Sequence, residues 1–194
     1  SSPWCDCCAA TLVVGVDEPH VLTPRVDPGV PVFALGRYAG PRRHAIVALK
    51  EHGRRDLAGP MSRALALGIH RLTAWGILGE PLTVVPAPSR RSAARRRGGD
   101  PILRVARAAT AESPRHAVAP VLRTTALVRD SVGLTSTARE RNIAGRVRMG
   151  APVPTGEVLL VDDVVTTGAT AREAVRVLTA GGARVSAVLA LAFA

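Results

Sequence analysis

Asp162 and Asp163 are adjacent carboxylates that directly follow four apolar, β-prone residues, Val158, Leu159, Leu160 and Val161. A run of that kind, without alternation, suits a strand covered on both faces in a parallel sheet. The pair would then emerge at the strand's carboxyl end, the edge where open α/β sheets place their ligands. Thr166, Thr167, Gly168, Ala169 and Thr170 follow as a tight turn into an amphipathic helix, so several unpaired backbone N–H groups converge there. Together these residues offer acceptors for vicinal sugar hydroxyls beside donors for a phosphate. An ordinary strand and capped helix would explain the Thr and Gly, but not two carboxylates straight after a buried run.

A second anion-seeking element follows a short buried-type strand at 82–85. It runs Pro86, Ala87, Pro88, Ser89, Arg90 and Arg91, with Arg95, Arg96 and Arg97 close behind. Five guanidiniums within eight positions could grip a pyrophosphate bidentately. Taken singly, each arginine fits a solvated basic turn slightly better. The cluster's place, after the carboxyl end of an expected parallel strand, favours a shared crevice with Asp162 and Asp163. Near the start of the chain, Cys5 and Cys8 have the spacing of half a zinc site. Structural zinc needs four ligands, and the five histidines are scattered singly. Either the other half lies upstream, or these are thiols of a reducing compartment with no metal.

The elements that must position these groups are legible in outline. Residues 9–31, with several Pro, Gly and Asp, suggest an irregular or partly stranded lead-in. A strand is expected at 32–38, a helix at 41–50 with Pro in its first turn, and another from an Asp56 cap to about residue 72. Helix follows at 101–111, strand at 118–122, a polar turn-like stretch at 123–134 and helix at 137–144. The closing units are the strand at 158–161, a helix at 169–180 stopped by Gly181 and Gly182, and a strand at 185–191. Such alternation predicts βαβ crossovers and a mainly parallel sheet flanked by helices. Two units are expected: residues 1–31 as the remnant of a Cys-containing module with its lead-in, and residues 32–194 as the main domain.

The formal charge is +11, from 26 basic residues against 15 acidic ones, and Lys50 is the single lysine. That balance favours polyanions. Only 3% of residues are aromatic, too few for a series of stacking platforms along a single strand. Arg, Pro or Gly interrupts every apolar stretch before it reaches membrane-spanning length, and a cytoplasmic location is expected. The chain starts Ser-Ser-Pro without an initiator Met, which leaves room for residues upstream. No glycine-rich loop ends in Gly-Lys-Ser/Thr, which sets aside a P-loop triphosphatase, and no turn motif supports a Ser/His/Asp or Cys/His hydrolase.

The segment VDDVVTTGAT resembles the motif of phosphoribosyltransferases that use 5-phosphoribosyl-1-pyrophosphate (PRPP). The resemblance implies that Asp162 and Asp163 hold the ribose 2′ and 3′ hydroxyls and that residues 166–170 wrap the 5′-phosphate. Three segments in order, VPAPSRRSAARRRGGD (85–100), RDSVGLTSTARERNIAG (129–145) and VDDVVTTGAT, sit behind a Cys-x-x-Cys element. That order is similar to the ComF family of competence-associated, phosphoribosyltransferase-like proteins. It implies a type I phosphoribosyltransferase-like α/β fold with a small N-terminal module whose last knuckle is WCDCC at 4–8. It also implies pyrophosphate contacts from Ser89, Arg90 and Arg91, and a closing loop at 123–145 carrying Arg129 and Arg139. The chain departs from the family's Arg-Gly-Phe-Asn-Gln run with Arg97, Gly98, Gly99, Asp100 and Pro101, and has Ser131 where the family has Gln.

Two functions follow as expectations. One is transfer of phosphoribosyl from PRPP to an unknown nitrogen acceptor, with Mg²⁺ arriving on the substrate and Zn²⁺ at the cysteines if the upstream half exists. The other is a non-catalytic accessory in DNA uptake or recombination, binding PRPP or a nucleotide and using its Arg-rich surface for single-stranded DNA or a protein partner.

Overall fold

The computed structural model describes residues 10, 12–88, 99–125, 145–152 and 155–194. Its centre is a six-stranded sheet built from β1 (His20–Leu22), β2 (Val32–Ala34), β3 (Leu82–Pro86), β4 (His116–Val118), β7 (Glu157–Val165) and β8 (Arg184–Phe193). The spatial order is β1-β2-β8-β7-β3-β4. Every pairing is parallel except β1 with β2. The sheet is therefore α/β in class and mostly parallel. β7 and β8 form its spine, and Val158 through Val161 are fully buried, as a strand sandwiched between two layers requires.

Helices α1 (Gly40–Glu51), α2 (Ala58–Ala74) and α3 (Pro101–Thr110) cover one face. Their apolar stripes, including Ile46, Leu49, Leu65, Ile69 and Val105, pack on Leu159, Val161 and Leu189. Helix α4 (Ala169–Ala180) covers the other face through Ala174, Val175 and Leu178 against Val158, Leu160 and Val188. The lead-in joins the same body: β1 pairs with β2, and Val14 is buried in the first cluster.

A separate antiparallel ribbon, β5 (Leu122–Thr124) with β6 (Val147–Met149), flanks the segment 126–144. The strand expected at 118–122 is thus two strands in two sheets, and Pro120, which has no N–H to donate, lies between them. Asp56 does not cap α2. It pairs with Arg54 at 2.6 Å, and the helix starts after Leu57 with no side-chain cap. Among the described residues no helix is long and apolar enough to cross a membrane.

Candidate functional site

The acidic pair sits inside β7 rather than after it, because the ladder continues to Val165, where it pairs with Phe193 of β8. The alternation of faces breaks there. Leu159 and Val161 face the first core cluster and Leu160 the second, yet Val164 packs on the first and Val165 on the second. The carboxylates bond to the backbone at this break: Asp162 Oδ1 accepts from the Asp163 amide at 2.8 Å, and Asp163 Oδ1 from the Val164 amide at 2.6 Å. Aspartate is one of the side chains short enough to fold back on its own backbone in this way.

The pair is electrostatically unequal. Burial, and then the charge of Asp163, push the Asp162 carboxyl up to about 7, against the opposing pull of the Asp163 amide and Lys50. Asp163 instead holds the ammonium of Lys50, which α1 delivers from its last turn to Asp163 Oδ2. Burial alone would lower the Lys50 pKa, but Asp163, with Asp162 and Glu51, outweighs it and raises it. Lys50 is therefore a fixed positive charge and not a nucleophilic amine. Nothing local in the sequence connects residue 50 to residue 163. The one available signal was compositional, a lone lysine in a chain that otherwise uses arginine.

Beyond Val165 the chain turns through Thr166, Thr167 and Gly168 into α4. Gly168 is the N-cap at φ +87°, and having no side chain it leaves the helix start without the usual oxygen cap. The Ala169 amide reaches Thr167 Oγ1 only at 3.4 Å, and the first helical bond runs from Arg172 N to Gly168 O. The turn is held from outside by the lead-in, since the Val26 amide donates to Thr167 O at 2.8 Å and Pro24 lies against Gly168. No local pattern at residues 24–26 announces that strap.

β3 arrives at the same edge. Pro86 pairs with Val161, and the Ala87 amide donates to Val161 O at 2.7 Å, so the chain leaves the sheet beside the acidic pair as it enters the arginine-rich stretch. Ser89, Arg90 and Arg91 lie outside the described residues, as do Arg129, Arg139, Cys5 and Cys8. Asp100 caps α3, accepting from the Ile102 and Leu103 amides at 2.9 and 3.2 Å, with Pro101 in the first turn.

Glu173, on the second turn of α4, is buried and accepts the Gly145 amide at 2.8 Å, while Arg176 bonds both of its oxygens. Arg176 is the main influence holding the Glu173 carboxyl low, ahead of the Gly145 bond, but its side chain is 58% exposed and solvent screens what the ion pair adds to stability. Glu173→Ala is expected to cost about 0.5–1.5 kcal/mol in chemical denaturation, since it removes the bond to Gly145, an exposed residue whose N–H water can then satisfy. Arg176→Ala, by contrast, should cost under about 1 kcal/mol.

A cavity of about 720 Å³ lies at the opposite edge, lined by Pro81, Gly156, Glu157, Gly181 and Arg184 among others. Glu157 is occupied there by the Gly79 amide, Ser186 and Arg184, and the first of these holds its pKa low. That edge carries a structural carboxylate, with Glu80 paired to Arg115 and His116 nearby, whereas Asp162, Asp163 and Lys50 lie at the other. Among the described residues, no group of three or more His, Cys, Asp or Glu could hold a metal. No protein-family model matches the chain, and no curated protein matches it significantly.

Proposed function

We propose that the carboxyl edge of the sheet binds a ribose 5-phosphate group, and that the protein is a phosphoribosyltransferase of the ComF type using PRPP. The observation that carries this reading is the continuity of β7, the 166–168 turn and α4, which puts two carboxylates one short step from an uncapped helix start. Vicinal hydroxyls need acceptors such as Asp162 and Asp163. A phosphate needs converging N–H groups, supplied by the amides of residues 166–170.

In this reading the C1–O bond to pyrophosphate breaks as a nitrogen nucleophile forms its bond to C1. The ring carries positive charge in the transition state and the leaving group departs with its electron pair. The chain's part is positioning and electrostatics. Asp162 and Asp163 fix the ring, the turn fixes the phosphate, and Ser89, Arg90 and Arg91 neutralise the departing pyrophosphate. Arg129 and Arg139 add to that charge from the 123–145 segment.

The acidic pair does not suit a resident Mg²⁺, because one carboxylate already holds Lys50 and, among the described residues, no third acid joins them to form a metal-holding group. Magnesium belongs to this reaction as the counter-ion carried by PRPP.

Calorimetry with PRPP and Mg²⁺ tests the reading. The wild type should bind, and Asp162→Asn with Asp163→Asn should weaken binding at least roughly a hundredfold, since two charge-assisted hydrogen bonds are lost. Undiminished affinity in the double variant would overturn the assignment. Release of pyrophosphate with a panel of bases would identify the acceptor class.

The accessory reading, single-stranded DNA held without turnover, draws on a different observation. Arg123 and Arg148 are cross-strand partners in the β5–β6 ribbon; Arg123 bonds the Pro120 and Leu122 carbonyls, and the two cations on one face of the ribbon suit a polyanion. Salt-sensitive DNA retention without pyrophosphate release would favour it.

A further inference from the structure

We propose that Lys50 is the built-in cation of the acidic pair: it positions Asp163 as a hydroxyl acceptor and keeps a free divalent metal off the two carboxylates. The inference rests on the ribose reading of this edge and adds to it a determinant of what the pair can bind. Ala45, Ile46 and Leu49 pin α1 to the sheet, which fixes the end of the helix over the carboxyl edge. Lys50 follows Leu49 directly and carries its ammonium to Asp163 Oδ2.

Three of the four carboxylate oxygens then have a donor from the chain itself: Asp162 Oδ1, Asp163 Oδ1 and Asp163 Oδ2. A divalent ion needs several oxygens in near-octahedral array and would here have to displace an ammonium held at a side chain only 16% exposed. A sugar hydroxyl needs one lone pair and can share the carboxylate with Lys50.

The identity of the cation is informative in an arginine-rich chain. A guanidinium would fork across both oxygens of Asp163 and use the lone pairs that a hydroxyl must reach. An ammonium is a compact point charge and leaves them open. Lysine at this one position thus supplies charge without closing the acceptor.

The test uses the full chain with Mn²⁺ alone, followed by electron paramagnetic resonance of the free ion, and ribose 5-phosphate followed by calorimetry. Lys50→Met should bind Mn²⁺ at least about tenfold more tightly than wild type, and the gain should vanish in Lys50→Met with Asp163→Asn. Lys50→Arg should keep Mn²⁺ out as wild type does, yet bind ribose 5-phosphate roughly tenfold more weakly. Should Lys50→Met not fold, Lys50→Gln carries the same Mn²⁺ comparison.

A Mn²⁺ affinity in the neutral variant within about twofold of wild type, or a gain that survives loss of Asp163, overturns the proposal. Absence of ribose 5-phosphate binding by the wild type, with the Mn²⁺ contrast intact, would instead count against the ribose site and leave the cation role standing.

Discussion

Gly168→Ala is expected to lower stability by about 2–5 kcal/mol, the sum of an alanine forced into the left-handed region and a steric conflict behind it. A Cβ at this position would lie 2.3 Å from Val26 O and 2.8 Å from Pro24 Cβ. Val26 cannot retreat freely, because its amide is bonded to Thr167 O. At roughly 2–4 °C per kcal/mol for a chain of this size, the melting temperature should fall by about 5–15 °C. Gly182→Ala is the matched control: its φ is +93°, but nothing lies within 4 Å of its Cβ. Its loss should stay near about 1 kcal/mol. Equal losses at the two positions would show that backbone conformation alone matters and that the strap at 24–26 is not tight. Binding of ribose 5-phosphate should fall with Gly168→Ala and not with Gly182→Ala, since only the former sits in the turn proposed to hold the phosphate.

The second large effect has the opposite sign. Asp162 ionises near 7 in the folded chain and near 4 in the unfolded one. Below about pH 4 both states are protonated. As the pH rises towards 7 the unfolded chain loses its proton first, so the folded state loses relative stability throughout that interval, and the whole loss is present above it. Asn has nearly the same shape, can still accept from the Asp163 amide, and does not titrate. Asp162→Asn should therefore match wild type near pH 4 and exceed it by about 1–3 kcal/mol at pH 8.5. Thermal unfolding at the two pH values would show a gap of about 3–10 °C that opens only on the alkaline side. A gap that is independent of pH would remove the electrostatic account. The same substitution should weaken ribose 5-phosphate binding, a trade of stability for function expected where a buried acid is kept for its chemistry.

The parts of this arrangement that were legible in the sequence share a physical cause. Val158 to Val161 announce a buried strand because each must shed water on both faces, and the pattern is local. Gly168 and the following amphipathic run announce a turn and a helix for the same reason. What escaped was non-local or competitive. The continuation of β7 through Asp162 and Asp163 depends on β8, whose Ala190 pairs with Asp162 itself and whose Ala192 pairs with Val164. Asp56 has the chemistry of a cap, but Arg54 competes for its oxygens. The meeting of Lys50 with Asp163, and of Val26 with Thr167, spans long stretches of chain and follows only from how α1 and the lead-in settle on the sheet.

The two outermost strands, β1 and β4, are each three residues long. A border so short exposes too few unpaired peptide groups to template the addition of a foreign strand. Among the described residues, growth of this sheet by lateral recruitment, whether into dimers or into fibrils, is thereby discouraged at both flanks.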